Sequence, residues 1–306
     1  MTKKSFTRRD FIGKTAAGLV GLAVSSKVIG LASMSDFSAS MQADKSKMKF
    51  GMVTYQWGNA WDLPTLITNL EKAGFVAVEL RTLNAHGVEP TLNAAQRADV
   101  KNRFADSSIT CVGYGSNFEF HNPDQVQLRK NIEGIKSYII LCKDIGATGI
   151  KVKPNGLPPE VPKEKTIAQI AASLNEVGKF AQDYGQKVRV EVHGRETSKI
   201  VNIKAIFEQI TEPNVVICWN SDAKDLDPPG LDANFNSVKR WIGDTAHLRP
   251  LNAGDYPYQQ LFNLFAGINF NGWLLLEAST TPADKAAAMK EQVAIYNQLM
   301  ANVKKM

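Results

Sequence analysis

From Lys49 onward, short runs of β-branched and aromatic residues alternate with longer stretches whose apolar positions recur at helical spacing. The runs at 49–55, 77–81, 110–114, 149–153, 188–193, 215–219, 245–249 and 273–278 read as strands, each bounded by Gly, Pro, Asn or Asp. Helices are predicted between them, at 62–73, 93–104, 123–145, 165–184, 203–210, 231–241, 256–266 and 283–300. The first presents Leu63, Leu66, Ile67 and Leu70 on one face behind the acidic cap Asp62. The third opens on Pro123 and meets Gly146 just past its end. Strands alternating with helices imply a parallel sheet with right-handed crossovers. Eight such units fit a closed (β/α)8 TIM barrel, an α/β fold forming a single domain over residues 46–306. An open doubly wound sheet would want a glycine-rich phosphate turn after the first strand. The chain has Tyr55-Gln56-Trp57-Gly58-Asn59 there instead.

Residues 1–45 follow a different pattern. A basic start leads into Thr7-Arg8-Arg9-Asp10-Phe11-Ile12-Gly13-Lys14, and a mildly apolar, Gly- and Ala-rich run follows to Ser26. Paired arginines ahead of Phe-Ile and a lysine resemble a twin-arginine signal peptide, which carries folded proteins to the periplasm or beyond. Lys27 cuts the apolar run short, so no stable membrane span is expected after processing.

Composition adds little once that segment is set aside. The formal net charge is +6, but residues 1–40 hold six basic and two acidic side chains, and the remainder carries 30 Lys/Arg against 28 Asp/Glu. So even a balance gives no case for nucleic acid as a partner. Cys111, Cys142 and Cys218 are odd in number and irregular in spacing, which reads as buried thiols and not as a disulfide framework.

Working residues of such barrels gather at the C-terminal strand ends. The fifth to eighth strands end in Glu191, Asn220, His247 and Glu277, which could together surround one divalent cation. Mixed carboxylate, amide and imidazole ligation suits Mn, Mg, Co or Zn without choosing among them. On the fifth strand, alternation puts Glu191 and His193 on one side and Val188, Val190 and Val192 on the other. Lys151 and Lys153 share a face of the fourth strand, where a lysine can hold an oxyanion or, if desolvated, act as a base. His121 follows the third strand as a candidate substrate contact, while His86, in a loop beside Gly87, is expected at the surface. Trp57 and Trp219 are candidates for stacking on a substrate, and Arg249 for substrate binding.

This order of strand ends resembles the xylose isomerase-like TIM barrels, the sugar phosphate isomerases and epimerases. The matching stretches are Val190-Glu191-Val192-His193, Cys218-Trp219-Asn220-Ser221, Ala246-His247-Leu248-Arg249 and Leu275-Leu276-Glu277-Ala278, with Glu79 in Val78-Glu79-Leu80-Arg81 similar to the family's second-strand end. The resemblance implies a metal-assisted proton transfer beside a sugar carbonyl, with Glu191 and Glu277 as acid and base and Lys153 assisting. Glu79, His121, Lys151, His193, Arg249, Trp57, Trp219 and Asp222 are then the expected substrate contacts. Three departures stand out: Asn220 replaces the usual aspartate, Ala223 a histidine, and Pro250 the aspartate three residues after His247. Asp222 shares parity with Asn220 and is an alternative ligand. The expectation is an exported sugar isomerase or epimerase; alternatives are a lyase or hydrolase acting on 3-keto-glycosides through the same enolate chemistry, or a sugar-binding barrel without catalysis. Export speaks against a phosphorylated substrate. A nuclease of the endonuclease IV type is disfavoured by only four histidines and the even charge balance.

Overall fold

In the computed structural model, residues 48–304 are described, and the expected signal peptide over residues 1–45 lies outside them. Eight parallel strands close into a barrel in sequence order: β1 (Lys49–Val53), β2 (Ala77–Arg81), β3 (Thr110–Glu119), β4 (Gly149–Lys153), β5 (Lys187–Glu191), β6 (Val215–Asn220), β7 (Ile242–Leu248) and β8 (Trp273–Leu276). The ring closes where β1 pairs with β8, Lys49 opposite Trp273 and Met52 opposite Leu276. A helix follows each strand: α1 (Leu63–Ala73), α2 (Ala94–Ala105), α3 (Gln125–Asp144), α4 (Lys163–Gln182), α5 (Ile200–Phe207), α6 (Leu231–Val238), α7 (Tyr258–Gly267) and α8 (Lys285–Ala301). None of the described helices is long and apolar enough to cross a membrane.

Local chemistry explains the punctuation. Asp62 accepts from the Thr65 backbone N–H at 2.9 Å and starts α1, whose buried face is Leu63, Leu66, Ile67, Leu70 and Ala73. Asn93 and Gln96 cap α2 reciprocally. These helices press outward-facing strand residues such as Val78, Leu80, Val188 and Val190 into the main apolar layer between sheet and helices.

The barrel's inside is filled in two ways. Val53, Ala77, Val112 and Leu275 form a small separate apolar cluster contributed by β1, β2, β3 and β8. A charged layer lies near the strand starts: the fully buried Arg189 guanidinium donates to Asp244 at 2.9 and 3.0 Å, to Thr148 Oγ1 at 2.7 Å and to the Val112 carbonyl at 3.0 Å. Arg189 first, with Lys187, holds Asp244 far below the usual carboxylate range against the penalty of burial.

Three features depart from the sequence reading. β3 runs on to Glu119, where the pattern predicts its end at Tyr114, because Glu119 still pairs with Lys153 beyond an irregularity in the register. β7 starts at Ile242, earlier than position 245, which brings Asp244 into the strand. His86 is buried, not at the surface: its Nε2 lies 2.8 Å from the Arg81 carbonyl oxygen, and burial pushes its imidazole down to about 4.

Candidate active site

Strand alternation sends Glu79 and Arg81 of β2, Lys151 and Lys153 of β4, Glu191 of β5, Asn220 of β6 and His247 of β7 toward the barrel axis. Glu277 follows directly on β8, its backbone N–H donating to the Leu248 carbonyl at 2.8 Å. Lys151 Nζ donates to Glu191 Oε2 at 2.5 Å, and both side chains are essentially excluded from solvent. The other oxygen of Glu191 accepts from Asn220 Nδ2 at 3.2 Å. Across the mouth, Arg81 Nη1 donates to Glu277 Oε1 at 2.9 Å.

His247 links the two carboxylates. Its Nε2 donates to Glu79 Oε1 at 3.0 Å, with both groups fully buried. That bond fixes the ring, so Nδ1 faces Glu277 Oε2 at 3.3 Å and Glu191 Oε1 at 3.5 Å. Room for the Glu79 carboxylate exists because position 115 is glycine: a Cβ there would lie 2.5 Å from Glu79 Oε1.

This arrangement passes a simple test for a metal site. Ligand atoms of Glu191, His247 and Glu277 all lie within 4.8 Å of one another. His247 Nδ1 is buried and has no hydrogen-bond partner among the described residues. A histidine tied to a carboxylate through one nitrogen, with the other left over between two carboxylates, is the usual preparation of an imidazole ligand. Asn220 enters this group as a donor to Glu191. Asp222, the alternative ligand, is engaged elsewhere, since its Oδ1 accepts from the Lys224 N–H at 2.8 Å and caps the 3-10 turn Ala223–Leu226.

Electrostatics keep both glutamates ionised. Burial alone would push Glu191 up, but Lys151 and then His247 outweigh it and hold it well below the usual range. Glu277 likewise sits at about 2, where burial is overcome first by His247. His247 is raised against the penalty of burial, by the Cys218 sulfur and by Glu79 and Glu277. Lys151 is raised by Glu191 in spite of complete burial. Lys153 is lowered, first by burial and then by the neighbouring Lys151.

The remaining predicted residues are spread more widely. His193 lies just past β5, and its Nδ1 is 2.7 Å from Asn155 Oδ1. Asn155 in turn donates to Glu119, whose other oxygen is 3.6 Å from His121 Nδ1. Gly194, at φ +101°, allows this approach, since a Cβ there would meet Asn155 Cα at 2.6 Å. His121 and Asn155 line a groove of about 410 Å³ together with Arg195 and Glu160. Trp57 is buried and donates through Nε1 to the Thr280 carbonyl at 2.9 Å, tying the loops after β1 and β8 together. Trp219 is fully buried on the opposite face from Asn220, against Phe235 of α6 at 5.3 Å. Arg249 turns to Ser221 and to Asp255, at 3.1 and 2.8 Å. Arg81 and Asn117 carry roles that sequence reasoning did not assign; the signal was parity with Glu79 for the first, and the length of β3 hid the second.

Solved structures share this architecture. D-psicose 3-epimerase in the presence of D-fructose superposes with a TM-score of 0.71 at 15% identity, over 83% of this chain and 99% of that one. The 3-keto-D-glucoside 4-epimerase from E. coli gives 0.69 at 15%, over 82% and 100%. The IolI protein with a bound zinc atom gives 0.70 at 15%, over 85% and 100%. At such identity the likeness is one of fold. In sequence, the profile described as xylose isomerase-like TIM barrel matches residues 67–222, more than half of the chain. With a closed eight-stranded parallel barrel to match, this chain belongs to the xylose isomerase-like TIM barrel family.

Proposed function

We propose that this protein is an exported, divalent-metal-dependent sugar isomerase or epimerase, moving a proton beside a sugar carbonyl with Glu191 and Glu277 as the acid/base pair. The observation that carries this reading is the trio Glu191, His247 and Glu277, with ligand atoms within 4.8 Å and an unpartnered His247 Nδ1 between the carboxylates. Support for the substrate class comes from the fold neighbours whose names state that they are psicose and keto-glucoside epimerases. Support for export is the Arg8-Arg9 signal pattern.

Glu191, His247 and Glu277 would hold the metal, and the chemistry it supplies is polarisation of the sugar carbonyl. A general base must be ionised to accept a proton, and the ammonium of Lys151 favours the ionised form of both glutamates. One glutamate removes the proton next to the carbonyl and becomes protonated. In an isomerisation it returns that proton to the adjacent carbon. In an epimerisation the opposite glutamate, having taken a proton from solvent, delivers it to the other face, and the pair resets by exchange with water. Glu79 holds His247 in orientation throughout. Lys153 contacts a substrate oxygen that bears negative charge. The groove lined by His121 and Asn155 favours a second use of the same proton abstraction, since an aglycone could lie in it and be expelled from a 3-keto-glycoside.

The test is deuterium incorporation from D2O beside the carbonyl of a panel of ketoses and 3-keto-glycosides, followed by NMR with added Mn²⁺ and with chelator. Exchange that chelator abolishes and that Glu277→Gln lowers by about 100-fold or more is expected. No exchange with any sugar, or full exchange in both Glu191→Gln and Glu277→Gln, refutes the reading.

A further inference from the structure

Two basic side chains at the barrel mouth share one neutral acceptor. Arg81 Nη2 donates to Asn117 Oδ1 at 2.8 Å, and Lys153 Nζ donates to the same oxygen at 3.3 Å. Their charges therefore lie within about 6 Å of each other, where like charges repel. A carboxylate at position 117 would offset that repulsion; the chain places an exposed amide there.

Other charges of the mouth are matched. Lys151 sits on Glu191, Arg81 also on Glu277, and His247 on Glu79. Lys153 has no carboxylate partner among the described residues. It is half-buried beside Lys151 and Arg81, which together with desolvation hold its ammonium below the ordinary lysine range. Arg81 keeps its guanidinium plane over Tyr55, 4.9 Å from the ring centre, and two bonds leave N–H groups to spare. A planar fork with spare donors beside an unmatched ammonium suits a planar anion.

We propose that Arg81 and Lys153 bind a carboxylate of the substrate, so that this site acts on a sugar acid in preference to a neutral sugar. The inference rests on the proton-transfer reading above and adds the substrate class to it. Asn117 sets the spacing of the two cations, and the carboxylate supplies the negative charge that Lys153 lacks, held also by the N–H groups that Arg81 does not spend on Glu277 and Asn117. A carboxylate is favoured over a phosphate because both faces of the pair are side-chain donors; helix α4 begins only at Lys163, ten residues beyond Lys153, so no helix N-terminus from this loop joins them.

Isothermal titration calorimetry on the full protein with added Mn²⁺ tests this with D-glucose, D-glucuronate and glucose 6-phosphate, and with D-fructose against D-fructuronate. The uronates should bind about tenfold or more tightly than their neutral partners, and the difference should shrink at high salt. Lys153→Met and Arg81→Met should lose that preference, and Lys153→Arg should keep it. Thermal melts check the fold of each variant; should the Met variants fail to fold, the wild-type pairs and Lys153→Arg decide. Equal binding of neutral sugar and uronate, tighter binding of the phosphate than of the carboxylate, a preference untouched in folded Met variants, or no binding by any of the sugars overturns the proposal. Uronate preference without deuterium exchange would leave it standing and refute proton transfer, whereas exchange on neutral sugars without preference would do the reverse.

Discussion

Replacing Lys151 by Met probes the ion pair on which Glu191 depends. Lys151 Nζ and Glu191 Oε2 are 2.5 Å apart, with side-chain exposures of 0% and 1%. At an effective dielectric near 20, two unit charges at that distance attract by about 7 kcal/mol. Desolvating two ions costs several kcal/mol each, so the pair as a whole is close to neutral relative to an apolar one. Removing only one partner is different, because the other charge stays buried with only the Asn220 amide and the more distant His247 to offset it. Lys151→Met should therefore cost about 3–5 kcal/mol. Glu191 should also lose its largest stabilising neighbour and rise toward the usual carboxylate range or above it. Urea unfolding at neutral pH measures the loss, and the double variant Lys151→Met/Glu191→Leu should recover most of it. A single variant losing under about 1 kcal/mol, or a double variant no more stable than the single, would contradict the account of Glu191 as a charge held by its lysine.

Asp225 gives a pH signature. Burial first raises its carboxyl to about 7, while Tyr256 donates to it at 2.6 Å. Its folded pKa lies above the unfolded 3.8, so its contribution is fully present below pH 3.8 and is lost as pH rises through about 7. The span corresponds to about 4 kcal/mol, and thermal melts of Asp225→Asn across this range should show that much of the slope removed. Gly115→Ala should push Glu79 off His247 and lower Mn²⁺ affinity by about 10–100-fold in calorimetry; an unchanged affinity would count against Glu79 as the group that orients the imidazole. Trp219→Ala should cost about 3–5 kcal/mol in unfolding experiments while leaving sugar affinity unaltered, because its ring packs on Phe235 and not at the mouth.

The barrel was legible in the chain itself. Eight β-branched runs, each followed by a helical period, allow few other topologies, since parallel strands need crossover helices and crossovers have one hand. Strand ends also named Glu191, Asn220, His247 and Glu277, because alternation is a local property of the backbone. What alternation does not carry is partnership. That Lys151 reaches Glu191, forty residues on in the neighbouring strand, depends on which strands lie side by side. So does the meeting of Arg81 with Asn117 of the adjacent β3, while its bond to Glu277, just after β8, depends on the closure that brings β8 beside β1. Small local shifts set other roles: an irregular β3 reached Asn117 and Glu119, and a 3-10 turn after β6 engaged Asp222 as a cap. The opening of β7 at Ile242 similarly brought Asp244 to Arg189. Sequence periodicity shows which side of a strand a residue takes, and closure of the ring determines the charges it meets there, because electrostatic partners are set by distance in space and not by position along the chain.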